Sequence, residues 1–293
     1  MLRPVSSANP AGTFPIAAAT HVGEAHLFVR DLGLSAAFYM ERLGFELLER
    51  DEREARLAAG GRPLLVLHGG AHRPRAPRTS GLYHVAIRVP DRAALARSLA
   101  RLVETGTPLQ GAADHLVSEA LYLADPDGLG LEIYRDRPRE SWPDGSRGPL
   151  MTSDPLDLEA LLRERGDAPW SGLTRGTDVG HVHLTVPVLA PAEEFYAGRM
   201  GFEVRMRAGR SALFLAAGGY HHHLALNLWS GEGAPPAPEG SADLRRFTIE
   251  VPDVAESARL RERLTSAGIE TSDSGDGWTT RDPFGLEIAI RVG

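Results

Sequence analysis

The sequence of 293 residues contains neither cysteine nor lysine. Without cysteine, the chain cannot form disulfides, thiolate nucleophiles, iron–sulfur clusters or cysteine-ligated zinc sites. Because all 32 basic residues are arginine, a Schiff-base lysine, a phosphate-loop lysine and a serine–lysine dyad are excluded as well. These two absences remove several large classes of enzyme chemistry.

An excess of positive charge and long apolar runs are also missing. The net charge of −7 argues against nucleic acid as the main partner. No apolar run approaches the roughly 18 residues that span a bilayer, so no membrane partner is expected. Residues 1–19 contain one arginine and an apolar stretch interrupted by Pro10, Gly12 and Pro15. This pattern predicts a flexible lead rather than a signal peptide, with the cytoplasm as the default location.

The overall composition is that of a folded protein with a core. Hydrophobic residues make up 42% of the chain and charged residues 24%, which excludes disorder, collagen and coiled coil at this level. The length suits two ordinary domains or one large one.

Two long stretches of the chain are similar at a constant offset of 157 residues, residues 20–46 and residues 177–203. A second pair is formed by residues 82–91 and 244–253, and the motif DPDG at 125–128 returns as DPFG at 282–285. Repeats of this length indicate a repeated structural unit. We divide the chain into a first, second, third and fourth unit, which are residues 20–69, 81–136, 178–230 and 244–292.

Each unit has the pattern of one strand, one helix and three short strands. The opening segments HLFVRDL, HVAIRVP, HVHLTVP and RFTIEVP alternate as strands do. A helix follows, for example Asp91–Thr105 with Leu95, Leu99 and Leu102 on one face. The pattern predicts an α+β fold of four βαβββ units in two modules, residues 20–136 and 178–293.

The connection between the modules, residues 137–177, is rich in proline. It contains a helix signal, with Ser153 or Asp154 as the N-cap, Pro155 at the first helical position and LDLEALLRER after it. We expect a structured linker with one short helix.

Side chains that can bind a metal are concentrated in the second and third units. The third unit has His181 where the first has Glu24, and the second has His84 where the fourth has Arg246. Two histidines and one carboxylate form the facial ligand set of non-haem Fe(II), which leaves coordination positions for a chelating substrate and dioxygen. The same donors also suit Mn(II).

The closing segments of the units show the same asymmetry. The second unit carries Glu132 in DPDGLGLEIY, where the fourth has Ala289. The third unit carries three histidines at 221–223, and we align Leu64 and Leu65 of the first unit with His222 and His223.

Three segments carry a resemblance to a known family: GLYHVAIRVPDRAALARSLARL, DHLVSEALYLADPDGLGLEIYRDRP and SALFLAAGGYHHHLALNLWSG. From about residue 20 to the end, the chain resembles the vicinal oxygen chelate superfamily, and within it the two-module extradiol catechol 2,3-dioxygenases. The resemblance implies two curved half-barrel sheets flanked by helices. It also implies an enzyme that inserts O2 into a catechol at an Fe(II) centre, with Mn(II) as the alternative metal. Catechol and O2 would be its reactants, and a homo-oligomer is one expectation.

On that resemblance, the metal ligands are His84, Glu132 and His181. The resemblance further implies an acid–base histidine at His223, next to His222, and assisting roles for Tyr122 and His115. In better-known extradiol enzymes all three ligands come from the C-terminal half, whereas here the fourth unit lacks them. We therefore expect the second unit to pair with the third, within one chain or between two chains.

Ordinary structural roles remain open for each of these residues. His84 is also consistent with a buried core histidine, Glu132 with an edge-strand glutamate, Tyr122 with a strand aromatic and His115 with a turn cap. His183 lies on the same strand face as His181 and is its rival as a ligand, although its counterpart in the first unit, His26, suggests a structural role.

The alternation of side chains along a strand puts His222 and His223 on opposite faces, and we expect His223 to face the site. The remaining histidines, His21, His26, His68 and His72, are expected to be structural or exposed, and Trp229 to be core or pocket wall.

Two other functions remain open. One is a metal-dependent isomerase or lyase resembling glyoxalase I, whose sites usually carry two glutamates, with Glu24 as a candidate. The other is a non-catalytic small-molecule-binding protein of the same fold.

Overall fold

The computed structural model describes residues 15–145 and 148–293 and contains two mixed β-sheets with few helices. Most of the expected flexible lead, residues 1–14, lies outside the described residues. Its last part is packed rather than free, because Ile16 is buried and its backbone N–H donates to the carbonyl of Gly201.

The first two units contain eight strands and two helices. In the first unit these are β1 (His21–Val29), α1 (Leu32–Phe38, continued by a π turn at Tyr39–Leu43), β2 (Glu46–Arg50), β3 (Glu54–Ala59) and β4 (Arg62–Gly69). In the second unit they are β5 (Gly81–Arg88), α2 (Arg92–Glu104), β6 (Gly111–Asp114), β7 (Ser118–Ala124) and β8 (Gly130–Asp136).

The linker and the last two units follow the same plan. The linker contains a 3₁₀ turn (Arg139–Ser141), β9 (Asp154–Pro155) and α3 (Leu158–Leu162). The third unit contains β10 (Asp178–Thr185), α4 (Leu189–Glu193, continued by a π turn at Glu194–Arg199), β11 (Glu203–Ala208), β12 (Ala212–Ala216) and β13 (Leu224–Asn227). The fourth contains β14 (Asp243–Val251), α5 (Val254–Ser266), β15 (Thr271–Ser274), β16 (Gly277–Arg281) and β17 (Glu287–Val292).

Each sheet combines one unit from each half of the chain. The eight-stranded sheet has the order β15-β16-β17-β14-β1-β4-β3-β2, and the nine-stranded sheet has the order β11-β12-β13-β10-β5-β8-β7-β6-β9. The opening strands β5 and β10 are antiparallel neighbours, as are β1 and β14. The expected α+β class is confirmed, and the second unit pairs with the third within one chain.

The helix predicted over Asp91–Thr105 is present as α2. The Asp91 side chain accepts a hydrogen bond from the backbone N–H of Ala94 and thereby caps the first turn. Leu95, Leu99 and Leu102 are buried, so the apolar face of the helix contributes to the core.

The linker helix begins later than its sequence suggests. Asp157, rather than Ser153 or Asp154, is the N-cap and accepts from the N–H of Ala160. Asp154 and Pro155 instead form the edge strand β9 beside β6. Proline is compatible with an edge strand because it has no N–H to contribute to a ladder.

None of the helices in the described part of the chain has the length and apolar character of a membrane-crossing segment.

Candidate metal centre

Three neighbouring strands bring two histidines and one glutamate together in the middle of the nine-stranded sheet. Ala86 in β5 is the Cα partner of both Glu132 in β8 and His181 in β10. Paired residues of adjacent strands present their side chains to the same face, so the carboxylate and the imidazole meet above the small alanine. His84 lies two residues before Ala86 and therefore shares this face.

The three side chains converge closely and are all buried. Glu132 Oε2 lies 3.0 Å from His84 Nε2 and 3.0 Å from His181 Nε2. The two histidine Nε2 atoms are 3.2 Å apart. Among the residues that the structure describes, these three form the group of histidine and carboxylate side chains placed to hold a metal ion.

The contacts fit a metal ion better than a set of hydrogen bonds. Adjacent ligand atoms of an octahedral ion with bonds of about 2.1 Å are about 3 Å apart, which matches all three separations. The three contacts cannot all be hydrogen bonds. If both Nε2 atoms donate a proton to the carboxylate oxygen, neither can accept one from the other.

The protonation states also suit metal binding. Burial opposes ionisation of Glu132, but the adjacent His181 and His84 hold its pKa well below the usual value. Burial lowers the pKa of His181 to about 4. At neutral pH the centre therefore offers an ionised carboxylate and a neutral imidazole, the forms that metal ligands require.

His183 does not join this cluster. Its Nε2 lies 3.0 Å from the side-chain nitrogen of Asn227. The Asn227 oxygen accepts from the Thr185 hydroxyl and from the backbone N–H of Trp229, so the amide nitrogen is the atom that faces His183. His183 Nε2 is thus an acceptor used by Asn227, and His181 is the histidine of β10 that converges with His84 and Glu132.

A cavity of about 640 Å³ opens beside the metal centre. The cluster of His84, Glu132 and His181 forms part of its wall. Tyr122, His115, His183 and Trp229 also line it, together with residues of β6 and β11 and of the linker at Met151, Thr152 and Ser153. His21, His26, His68 and His72 lie outside it.

The histidine beside the metal centre is His222, not His223. His222 lines the cavity, and the centre of its ring lies 4.1 Å from that of His181. His223 is stacked on Tyr220, and its Nδ1 accepts from the backbone N–H of Ala217. The expectation that His223 faces the site is therefore wrong, because β13 begins only at Leu224 and the preceding histidines lie in a bend.

His222 is backed by two further side chains. Its Nδ1 lies 2.8 Å from Nδ1 of His221, and His221 Nε2 lies 2.9 Å from Oδ1 of Asp136. Burial opposes ionisation of Asp136, but the hydrogen bond from His221 and the charge of Arg88 keep its pKa below the usual value. An ionised carboxylate only accepts, so His221 carries its proton on Nε2 and accepts from His222 at Nδ1. In this arrangement Nε2 of His222 is unprotonated.

Tyr122 and His115 form a second hydrogen-bonded pair in the cavity. The Tyr122 hydroxyl lies 2.7 Å from Nε2 of His115, whose Nδ1 lies 2.5 Å from the carbonyl oxygen of Thr152. Since a carbonyl only accepts, His115 donates from Nδ1 and accepts the Tyr122 proton at Nε2. Tyr122 is the cross-strand partner of Glu132, and burial raises its pKa, so the hydroxyl stays protonated.

The chain matches the family model of the glyoxalase/bleomycin resistance protein/dioxygenase superfamily over residues 19–133 and 178–290. The chain belongs to this superfamily. It is 43% identical over 269 residues to the catechol-2,3-dioxygenase of Bacillus subtilis, covering 90% of this chain and 94% of that protein. This relative confirms the expectation of an enzyme related to the catechol 2,3-dioxygenases.

Solved structures support the fold independently. Glyoxalase I from Zea mays has a TM-score of 0.57 at 17% identity and covers 94% of this chain and 92% of its own. The cppA protein from Streptococcus pneumoniae has a TM-score of 0.54 at 14% identity and covers 93% of this chain and 99% of its own. At these identities the likeness concerns the fold alone.

The other sheet of this superfamily member has different side chains at the equivalent positions. Arg246 stands in the place of His84 and lies 3.6 Å from Glu287, and Glu24 lies 3.4 Å from Arg291. Glu24 is therefore part of an ion pair in the eight-stranded sheet and does not reach the metal centre.

The strand register also corrects the alignment of the first and third units. Leu65 and Leu224 hold equivalent positions in β4 and β13, so the counterpart of Leu64 is His223 and not His222.

The sequence analysis assigns no role in the site to several residues that the structure places there, among them Asp136, Phe214 and Asn227. Asp136 follows the closing strand motif and offered no local signal, whereas Phe214 lies in an ordinary strand. The proximity of Asn227 to His183 could have been found from the parallel pairing of β10 with β13, which brings their polar residues together.

Proposed function

We propose that this chain is an extradiol dioxygenase that inserts both atoms of O2 into a catechol ring, with Fe(II) held by His84, Glu132 and His181. The observation that carries the proposal is the convergence of two Nε2 atoms and one carboxylate oxygen within about 3 Å of one another beside an open cavity. The name of the relative from Bacillus subtilis supports the substrate class.

Fe(II) held by these three side chains would be chelated by the two vicinal oxygens of a catechol and would supply the path for electron transfer from the ring to O2. Mn(II) fits the same donor set. His84, Glu132 and His181 would hold the ion at the wall of the cavity, where both reactants could reach it.

The residue proposed to move protons is His222. Burial lowers its pKa well below the usual value, so the ring is neutral. With Nδ1 engaged by His221, Nε2 is the nitrogen available to take a proton from a catechol hydroxyl. The same atom can return that proton later in the reaction. Asp136 and His221 act through His222 by fixing its tautomer and ring orientation.

Tyr122 is proposed to orient the substrate. Its hydroxyl remains protonated and lies on the face that carries Glu132. In the structure it donates to His115, and on substrate binding it can donate to a catechol oxygen instead. His115 donates to the Thr152 carbonyl from Nδ1. In the hydrogen bond between Tyr122 and His115 the tyrosine hydroxyl is therefore the donor.

The sites of glyoxalase-like isomerases usually carry two glutamates. Among the cavity-lining residues that the structure describes, Glu132 is the sole carboxylate. Ring cleavage is therefore the function that the site supports best.

The test is anaerobic loading of the protein with Fe(II), followed by O2 uptake with catechol. We expect equimolar consumption of O2 and catechol and a ring-opened semialdehyde. His84→Ala and Glu132→Ala should lose both bound iron and turnover, whereas His72→Ala, at an exposed position, should retain both. Full iron binding in His84→Ala would contradict the ligand assignment. Hemithioacetal turnover without O2 uptake would identify an isomerase, and failure of the wild type to bind metal would indicate a binding protein.

A further inference from the structure

The cavity is larger than a single catechol ring needs. Catechol has eight non-hydrogen atoms, whereas cavities of roughly 300–1,000 Å³ hold ligands of drug size. The volume here is about 640 Å³. A substrate that chelates the metal through its two hydroxyls therefore leaves space on the side away from the ligands.

Aromatic side chains surround that space. The rings of Tyr83 and Trp229 have centres 4.9 Å apart, and each lies within about 5 Å of His183 (4.8 Å and 5.1 Å). His183 in turn lies 4.9 Å from His84. This aromatic wall thus begins at a proposed metal ligand and ends at Tyr83 and Trp229, which are 43% and 51% exposed.

The wall is held in place rather than free to collapse. Asn227 is fully buried and binds the two parts of the wall at once, donating to His183 Nε2 and accepting from the backbone N–H of Trp229. Tyr83 is carried by the central strand β5, next to the ligand His84. Trp229 is thus an exposed side chain on a fixed backbone and offers a preformed surface to a ligand. Aromatic rings favour edge-to-face contacts, which this surface can make with a ring of the ligand.

Beyond the proposed metal ion, the described lining of the cavity provides neither arginine nor lysine as a counter-charge to an anion. Glu132 is the one carboxylate of that described lining. The other lining residues beyond the metal centre are apolar, aromatic or uncharged polar, such as Phe214, Met206 and Gln110. A carboxylate on the substrate would lose hydration here without gaining an ionic partner.

On the basis of the proposed function, we infer that Trp229 and Tyr83 form a subsite for an uncharged apolar substituent of the catechol, and that the enzyme discriminates against catechols with a carboxylate substituent. Trp229 is the specificity-determining residue. The substituent extends from the chelated ring along His183 and leaves the ring's two hydroxyls at the metal centre.

The test compares three substrates on the iron-loaded protein: catechol, 4-phenylcatechol and 3,4-dihydroxybenzoate. We expect kcat/KM for 4-phenylcatechol to exceed that for the carboxylated substrate by at least about 100-fold, because the apolar ring gains aromatic contacts and the carboxylate loses hydration. Equal values for the two substituted catechols would overturn the inference.

The variant Trp229→Ala tests the residue itself. It should lower the ratio of kcat/KM for 4-phenylcatechol to that for catechol by about tenfold, and Trp229→Phe should restore most of the ratio. Trp170→Ala, a tryptophan in the linker outside the cavity lining, should leave the ratio unchanged. An unchanged ratio in Trp229→Ala, with the fold verified by circular dichroism, would overturn the assignment.

Failure of this inference can be distinguished from failure of the proposed function. If catechol is cleaved but the ratios show no preference, the subsite is wrong and the dioxygenase stands. If no catechol is cleaved, anaerobic calorimetry with the same three compounds still tests the subsite. Tighter binding of 4-phenylcatechol that is lost in Trp229→Ala supports it, and equal binding of all three compounds refutes it.

Discussion

At the residue scale, the metal centre depends on a side chain that takes no part in the chemistry. Ala86 lies between Glu132 and His181 in the strand order, and it is fully buried beneath them. A larger side chain at this position would occupy the space in which the carboxylate and the imidazole meet. The equivalent position of the other sheet, whose described residues form no such cluster, is Thr248.

We expect Ala86→Val to weaken metal binding by about 10–100-fold, the range found for residues that orient metal ligands. Valine is favourable in a strand, so the sheet should still form. The measurement is iron content after dialysis, together with the dissociation constant for Mn(II). Thr248→Val introduces the same side chain in the other sheet and should leave metal binding unchanged. Equal metal affinity of Ala86→Val and the wild type would refute the packing argument.

The two neighbouring histidines make a second comparison. His222→Gln should lower kcat by about 10²–10⁴-fold, the usual contribution of a general acid–base residue. His223→Gln should retain turnover but lose about 1–3 kcal/mol of stability, because the N–H of Ala217 loses its acceptor. Steady-state kinetics and urea unfolding of both variants provide the test. A larger loss of kcat in His223→Gln than in His222→Gln would restore the role that the sequence suggested for His223.

At the element scale, the errors of sequence reasoning are confined to segments without regular periodicity. The alternation rule failed for His222 and His223 because it assumes a continuous strand, and these residues precede β13. The sequence predicts the linker helix too early because Pro155 fits both a first helical turn and an edge strand. Only the pairing of β9 with β6 distinguishes the two, and that is a long-range contact.

The repeated motifs, by contrast, have the same role in both halves. Tyr39 donates to Asp125 and Tyr196 donates to Asp282, which joins the helical segment of one unit to the DPDG or DPFG turn of the next. Each of these aspartates also accepts from two backbone N–H groups of its own turn. The residues shared at the constant offset are thus explained largely by the fold and not by the chemistry.

We expect Tyr39→Phe to destabilise the protein by about 1–3 kcal/mol, because a buried carboxyl group loses a donor. The loss should be larger at pH 7.5 than at pH 4.5. Burial raises the pKa of Asp125 to about 6, so the folded state keeps the Asp125 proton up to a higher pH than the unfolded state does. The free energy of unfolding therefore falls as the pH rises from about 4 to 6. Without Tyr39 the folded pKa rises further, which extends the loss above pH 6.

Urea unfolding of the wild type and Tyr39→Phe at both pH values measures this difference. Other titrating groups cancel in the comparison because they are common to the two proteins. A free-energy difference that is independent of pH would show that Asp125 does not titrate in this way.

At the scale of the whole molecule, the chain order and the sheet order differ. The sequence repeat predicted four units, and the absence of ligands in the fourth unit predicted that the second would pair with the third. Both expectations agree with the strand order, because β5 and β10 are neighbours although a linker of about forty residues separates the units. The depth and walls of the cavity could not be predicted, since they depend on the linker residues Met151–Ser153 and on side chains from β6 and β11.

A metal held as proposed would join the two halves of the chain, since His84 and Glu132 belong to the first and His181 to the second. Ligands that bind only the folded state stabilise it, by about 2.7 kcal/mol at a hundredfold excess over Kd. We therefore expect Mn(II), used to avoid oxidation, to raise the Tm of the wild type in proportion to the logarithm of its concentration. Glu132→Gln, which keeps the side-chain shape but removes the charge, should show no such rise. A metal-dependent increase that persists in Glu132→Gln would place the ion elsewhere, and no increase in the wild type would mean that the converging side chains do not bind a divalent cation.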